Sequence, residues 1–131
     1  MLRSLEIKIR LFDTDLFGRT HFSSFFRYID VASTEFFESE GIDPSKTLKY
    51  LPVAESGCRF RAPTQFGDLL DARVSLSELK DKALRLLFRF YRKPDDILVA
   101  EGYQVLVYVN EKGKAATIPK EIKDILSKHI S

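Results

Sequence analysis

The residues of this chain best suited to chemistry are the two carboxylates of Asp13-Thr14-Asp15-Leu16-Phe17-Gly18. Before them, Leu5-Glu6-Ile7-Lys8-Ile9-Arg10-Leu11 alternates strictly between apolar and polar residues, the pattern of a strand. After them come Arg19-Thr20-His21-Phe22-Ser23-Ser24 and then an apolar pattern of helical period over residues 25–37. The carboxylates therefore occupy a glycine-containing loop between a strand end and a helix start. A helix start offers unpaired backbone N–H groups and the positive end of a dipole. A carboxylate beside such groups pairs a base or nucleophile with an oxyanion stabiliser. The competing reading is structural, with Asp13 and Asp15 making Asx-type turn bonds. His21 is a second titratable group, suited to assisting a proton transfer or to capping the helix. Phe17, Phe22, Phe25 and Phe26 offer an apolar lining, and for Phe25 core packing is the stronger expectation.

The elements that must hold this loop are readable. Phe22, Phe25, Ile29, Ala32 and Phe36 recur at steps of three and four, giving a helix with Ser23 or Ser24 at its N-cap and Gly41 at its end. A further helical turn is expected around residues 44–50. From Val53 the period becomes two. One strand face is Ala54, Ser56, Cys58, Phe60 and Ala62, and the next is Leu70, Ala72, Val74 and Leu76. A third is Leu84, Leu86, Phe88 and Phe90, and a fourth is Val99, Tyr103, Val105, Val107 and Val109. Short polar turns between them predict an antiparallel meander. A last helix is expected from Pro119, with Ile122, Ile125 and Leu126 on one face and His129 at the surface. The sum is one α+β domain over residues 1–131, a single five-stranded sheet around one helix. Such a sheet leaves two edges, and pairing with a second copy would cover them.

The ordered set of short motifs resembles the 4-hydroxybenzoyl-CoA thioesterase family. It runs from the Asp13–Gly18 loop through Phe25-Phe26-Arg27-Tyr28-Ile29-Asp30, Thr34-Glu35-Phe36-Phe37 and Gly41-Ile42. It continues with Cys58-Arg59-Phe60-Arg61-Ala62-Pro63, Phe66-Gly67-Asp68-Leu69-Leu70, Ala100-Glu101-Gly102-Tyr103 and Lys112-Gly113-Lys114 with Ile118-Pro119. The resemblance implies a hotdog fold, an antiparallel five-stranded sheet wrapped around one long hydrophobic helix. It implies hydrolysis of acyl-CoA thioesters by a homodimer or homotetramer; no metal or other cofactor is expected, because the sequence has the Asp15 loop and lacks a metal-ligand cluster. The second loop carboxylate, Asp15, is the implied base or nucleophile, and the backbone N–H near Phe22 is the implied oxyanion donor. His21 is carried as an assisting group, although Arg19-Thr20-His21-Phe22 departs from the family's usual loop. Phe17 and Phe25 are carried as acyl contacts. Arg59, Arg61, Arg92 and Lys93 are carried as contacts to the coenzyme A phosphates, against the alternative of ordinary solvated charge. Glu55, Arg59 and Arg61 are candidates to reach a partner chain. The alternatives are an acyl-carrier-protein thioesterase and a non-catalytic acyl-CoA binding or sensing module. A hotdog hydratase fits less well, because its D-x-N-x-x-H pattern is absent and His21 stands six residues after Asp15.

Composition agrees with these expectations and excludes others. The 131 residues suit one domain, and a net charge of +2 makes no case for nucleic acid. No apolar run approaches the ~20 residues of a membrane span. The first residues lack a signal-peptide core, and the single cysteine, Cys58, allows no intrachain disulfide. A cytoplasmic location is the expectation. There is no Walker loop, dinucleotide fingerprint, G-x-S-x-G motif or spaced metal-ligand cluster.

Overall fold

A computed structural model describes residues 3–130; Met1, Leu2 and Ser131, the ends of the expected 1–131 domain, lie outside the described residues. The strands are β1 (Arg3–Lys8), β2 (Val53–Phe60), β3 (Leu69–Leu79), β4 (Ala83–Lys93) and β5 (Ile97–Val107). The helices are α1 (Ser24–Ser39), α2 (Pro44–Thr47) and α3 (Lys120–Leu126). All five strands form one antiparallel sheet in the order β1-β3-β4-β5-β2. Only β3, β4 and β5 form the expected meander. The strand β2 crosses to the far side of β5 and becomes an edge. Residues 61–68 make that crossing, and they pass directly beside the Asp13–Gly18 loop.

The helix α1 contacts every one of the five strands, so the sheet curls around it in the hotdog arrangement. Phe25, Ile29, Ala32, Phe36 and Phe37 of α1 are buried against Leu70, Ala72, Val74, Leu84, Leu86, Phe88 and Phe90. Completely burying side chains such as Phe36 and Phe37 contributes about 1.5–3 kcal/mol each. Phe22 lies outside this stripe, before the helix, and is exposed. The helix ends in a Schellman motif at Gly41, whose φ of +80° suits glycine. There the Ile42 N–H donates to the Phe37 carbonyl (3.0 Å) and the Gly41 N–H to the Glu38 carbonyl (3.0 Å).

Three further expectations need correction. The inward face of β5 is Ala100, Gly102, Gln104 and Leu106, while Tyr103, Val105 and Val107 face outward. An extra residue at Val99, between the pairs Phe90–Ala100 and Tyr91–Leu98, reverses the alternation. A Cβ at Gly102 would lie 2.7 Å from Ile29 Cδ1 and 3.1 Å from the Gly57 carbonyl oxygen, so a larger residue there would force its neighbours to shift. The N-cap expectation also changes. Ser23 occupies the cap position in a helical conformation and its side chain makes no capping bond. The first helical N–H groups are taken up by backbone turns instead, Ser24 to the His21 carbonyl (2.9 Å), Phe25 to that of Phe22 (3.2 Å) and Phe26 to that of Ser23 (3.2 Å), while just before the helix His21 Nδ1 accepts from the Ser23 N–H (3.2 Å) and contacts its hydroxyl (2.8 Å). Finally, His129 is buried. It packs on Phe36 and its Nε2 meets Glu40 at 2.5 Å, which docks the C-terminal segment against the end of α1.

Candidate active site

The loop between β1 and α1 gives its two carboxylates opposite environments. Asp13 is 2 % exposed. Its carboxylate accepts the Tyr28 hydroxyl (2.8 Å) and the Arg10 N–H (3.0 Å), and it is ion-paired with Arg27. Burial, offset in part by the Arg27 charge, pushes the Tyr28 phenol up to about 12, so Tyr28 is a donor at any physiological pH. The Asp13 carbonyl accepts the His21 N–H (2.8 Å) and the Ser24 hydroxyl (2.9 Å). Asp13 thus ties the loop to the start of α1.

Asp15 is exposed. Its Oδ1 accepts the Phe17 N–H (2.8 Å) and the Arg19 N–H (3.2 Å), an Asx turn that fixes the side chain in place. Among the described residues no hydrogen bond occupies its Oδ2. The structural reading of these aspartates therefore holds for the turn geometry, and one Asp15 oxygen stays open. The loop is pinned from outside by the crossing segment. The Thr20 N–H donates to the Thr64 carbonyl (2.9 Å), the Phe66 N–H to the Gly18 carbonyl (3.1 Å), and the Thr64 hydroxyl to that of Thr20 (2.7 Å).

These contacts form an open groove of about 470 Å³, lined by Asp15, Arg19, Thr20, Phe22, Phe25, Phe60, Arg61 and residues 62–64. Among the described residues the Phe22 N–H has no hydrogen-bond acceptor. The groove is thus lined by Asp15, which keeps one unbonded oxygen, by Phe22, whose N–H is unbonded among the described residues, and by an apolar wall of Phe22, Phe25 and Phe60. Phe25 serves both sides: it lines the groove and packs edge-on against Tyr28 and Phe90 in the core. A cavity of about 560 Å³ lies elsewhere, between α1 and the start of β2, and contains none of the candidate residues. Of the two, the smaller groove is the one lined by the candidate residues Asp15 and Phe22.

The structure brings Asp15, Phe22, Phe25 and Arg61 into one groove. Arg92 lies in a contiguous depression shared with Arg19, Pro63 and Thr64, where it donates to the Pro63 carbonyl (3.0 Å) and pairs with Asp95 (3.2 Å). That Arg92 contact holds the Asp95 carboxyl below its usual range. Arg61 makes a two-nitrogen contact with Glu101. The remaining candidates lie apart. Phe17 is 87 % exposed at the loop tip, and the His21 ring stacks on Phe22 (4.7 Å) outside the groove lining. Arg59 belongs to a depression on the outer face of the sheet, and Lys93 pairs with Asp96 (3.2 Å). Arg19 and Thr64 were missed. Arg19 carried a signal, being a cation within the loop itself, whereas Thr64 arrives through pairing that no local pattern reveals. Cys58 is half-buried, and desolvation pushes its thiol up to about 11, as for a small packing residue. Among the described residues no three His, Cys, Asp or Glu side chains gather as metal ligands, and no helix is long and apolar enough to cross a membrane.

Residues 9–126 match the model of the thioesterase-like superfamily, and the chain belongs to that family. Fold and family together define a thioester hydrolase. A hypothetical protein from Thermus thermophilus is 32 % identical with a TM-score of 0.90, covering 100 % of this chain and 99 % of its own. A gentisyl-coenzyme A thioesterase is 26 % identical with a TM-score of 0.84, covering 93 % of this chain and 98 % of its own. A chloroplastic acyl-acyl carrier protein thioesterase of Arabidopsis thaliana is 21 % identical over 132 residues. That match spans 91 % of this chain and 65 % of the plant protein.

Proposed function

We propose that this chain hydrolyses acyl-CoA thioesters to the free acid and coenzyme A, using the Asp15 groove. The observation that carries the reading is that Asp15, with its one unbonded oxygen, and Phe22, with its unbonded N–H, line the same groove. Asp15 activates water or attacks the carbonyl carbon itself. The Phe22 N–H receives the developing oxyanion. Phe22, Phe25 and Phe60 hold the apolar part of the substrate, with Phe17 closing over it from the loop tip. His21 orients the turn that carries the donor through its bonds to Ser23. The reaction needs no group beyond these residues and water, and the chain acts as one domain in the cytoplasm, where the lone Cys58 stays reduced. The test is thiol release from short, medium, long and aromatic acyl-CoAs without added metal. Release from at least one class, unchanged by a chelator, is expected. Silence across the panel, or abolition by the chelator, would overturn the proposal.

Arg92 is the best-placed contact for the nucleotide phosphates of coenzyme A, with Lys93 next to it in the chain, Arg61 in the adjoining groove and Arg59 farther off on the sheet. Arg92→Ala, and more weakly Lys93→Ala, should raise KM for an acyl-CoA severalfold with kcat nearly unchanged. Contacts remote from the reacting carbon bind ground and transition states alike. The effect should vanish for a pantetheine thioester, and an unchanged KM for the CoA substrate would return these residues to ordinary surface charge. The same comparison weighs the second reading, favoured by the plant relative, in which the thioester is presented on acyl-carrier protein. A non-catalytic acyl-CoA binding module is excluded by any turnover in the panel.

The active unit is a homodimer or a dimer of dimers. Leu11, Phe12, Leu16 and Phe17 leave 69–99 % of their surface exposed beside the site, more than an isolated chain normally tolerates in one cluster. The edge strand β2 carries exposed Val53 and Phe60, and its Glu55 and Arg59, with Arg61 just after it, are the candidates to reach a neighbour. Light scattering should give at least twice the 15.1 kDa chain mass. A fully active monomer at assay dilution would contradict this arrangement.

A further inference from the structure

We infer that Tyr28 and Ser24 are positioning residues for the reaction, acting through Asp13 to aim the Phe22 N–H into the groove. The inference rests on the Asp15 reading and adds the device that holds its oxyanion donor.

The donor belongs to the peptide plane joining His21 and Phe22. A trans peptide is planar, so fixing its carbonyl fixes the opposite direction of its N–H. The His21 carbonyl is fixed by the Ser24 N–H at 2.9 Å. The preceding plane is fixed by the His21 N–H, which donates to the Asp13 carbonyl at 2.8 Å. The Ser24 hydroxyl donates to the same carbonyl at 2.9 Å. Orientation of the donor therefore depends on where Asp13 sits. Asp13 is held in turn by three groups: the Tyr28 hydroxyl one turn into α1, the Arg10 N–H at the end of the β1 segment, and Arg27. Tyr28 is the internal strut of this set. It is 3 % exposed, and its ring is wedged between Phe25 (5.2 Å) and Phe90 (6.5 Å) in the core. The core, the first turn of α1 and the donor peptide are joined through one buried carboxylate. None of these groups lines the groove, so none touches substrate.

The experiment compares Tyr28→Phe and Ser24→Ala with the parent on the best acyl-CoA found in the panel. Tyr28→Phe keeps the ring and removes only the hydroxyl; Ser24→Ala removes the second hold without entering the core. Each should lower kcat by about 10-fold with KM changed less than about twofold, because the loss is of aim at the transition state. A role in stability alone would lower the melting temperature and leave kcat intact in the folded range. Each change should also cost almost nothing further in a Phe22→Pro background, where the donor is already gone. Parental kcat in both variants, or losses that simply multiply with Phe22→Pro, would overturn the inference. Asp15→Asn serves as the control. An inert Asp15→Asn protein beside parental Tyr28→Phe and Ser24→Ala removes the positioning role alone, whereas a fully active Asp15→Asn protein removes the functional reading beneath it.

Discussion

Replacing Asp15 with asparagine should cost about 100-fold or more in kcat, the scale of a lost acid–base or nucleophilic group. The fold should survive unchanged. Asp15 is exposed, and the oxygen that builds the turn, accepting from the Phe17 and Arg19 N–H groups, has a direct counterpart in asparagine. Only the free oxygen is exchanged for an amide, which can neither take a proton from water nor attack a carbonyl carbon. The melting temperature should therefore correspond to a stability change within about 0.5 kcal/mol. Asp13→Asn should do the reverse. It replaces the charge in a buried pair, and its cost stays below the about 3–5 kcal/mol of a fully buried pair because Arg27 is half exposed. Its effect on kcat should be smaller than that of Asp15→Asn. Parental turnover by the Asp15→Asn protein would remove Asp15 from the mechanism.

The second large effect is expected at Phe22, and its sign depends on the backbone. Phe22→Ala keeps the N–H, so kcat should remain within a few-fold of the parent. KM should rise for apolar substrates, because the ring facing Phe60 (6.4 Å) is lost from the wall. Phe22→Pro deletes the N–H and should cost roughly 100- to 1000-fold in kcat, as removal of one oxyanion donor does. Circular dichroism and melting curves identify a folded Phe22→Pro protein. If that protein turns over at the parental rate, or if alanine is as damaging as proline, the donor lies elsewhere.

Much of this architecture was legible in the sequence, and the failures have physical causes. The inward faces of β3 and β4 read directly from Leu70, Ala72, Val74 and Leu76, and from Leu84, Leu86, Phe88 and Phe90, because both strands alternate without interruption on that side. The face of β5 misread because one bulged residue, Val99, shifts the phase, and because the inward positions are small or polar where α1 presses closest. The placement of β2 beside β5 depends on a long crossing that leaves no periodic trace. In the site, residue type and spacing singled out the loop carboxylates, and the family resemblance selected Asp15. Which one is buried depended on Tyr28, 15 residues onward, and on the Arg27 charge. His129 misread for the same reason, since its partner Glu40 stands 89 residues away in the chain. Long-range hydrogen bonds of this kind decide the environment of a polar residue, and local patterns do not encode them.

The central claim is that the Asp15 groove is where the thioester lies. Its most direct measurement is amide NMR of the 15N-labelled protein titrated with a thioether analogue of the preferred acyl-CoA, which binds without being cleaved. The largest saturable shift should fall on the Phe22 N–H, with smaller shifts at residues 15–20 and at Thr64 and Arg92, and none beyond background at Asp30, Thr34 or Leu106 around the larger cavity. Saturation with the Phe22 and loop amides unmoved, and the changes gathered along that other cavity, would contradict the account.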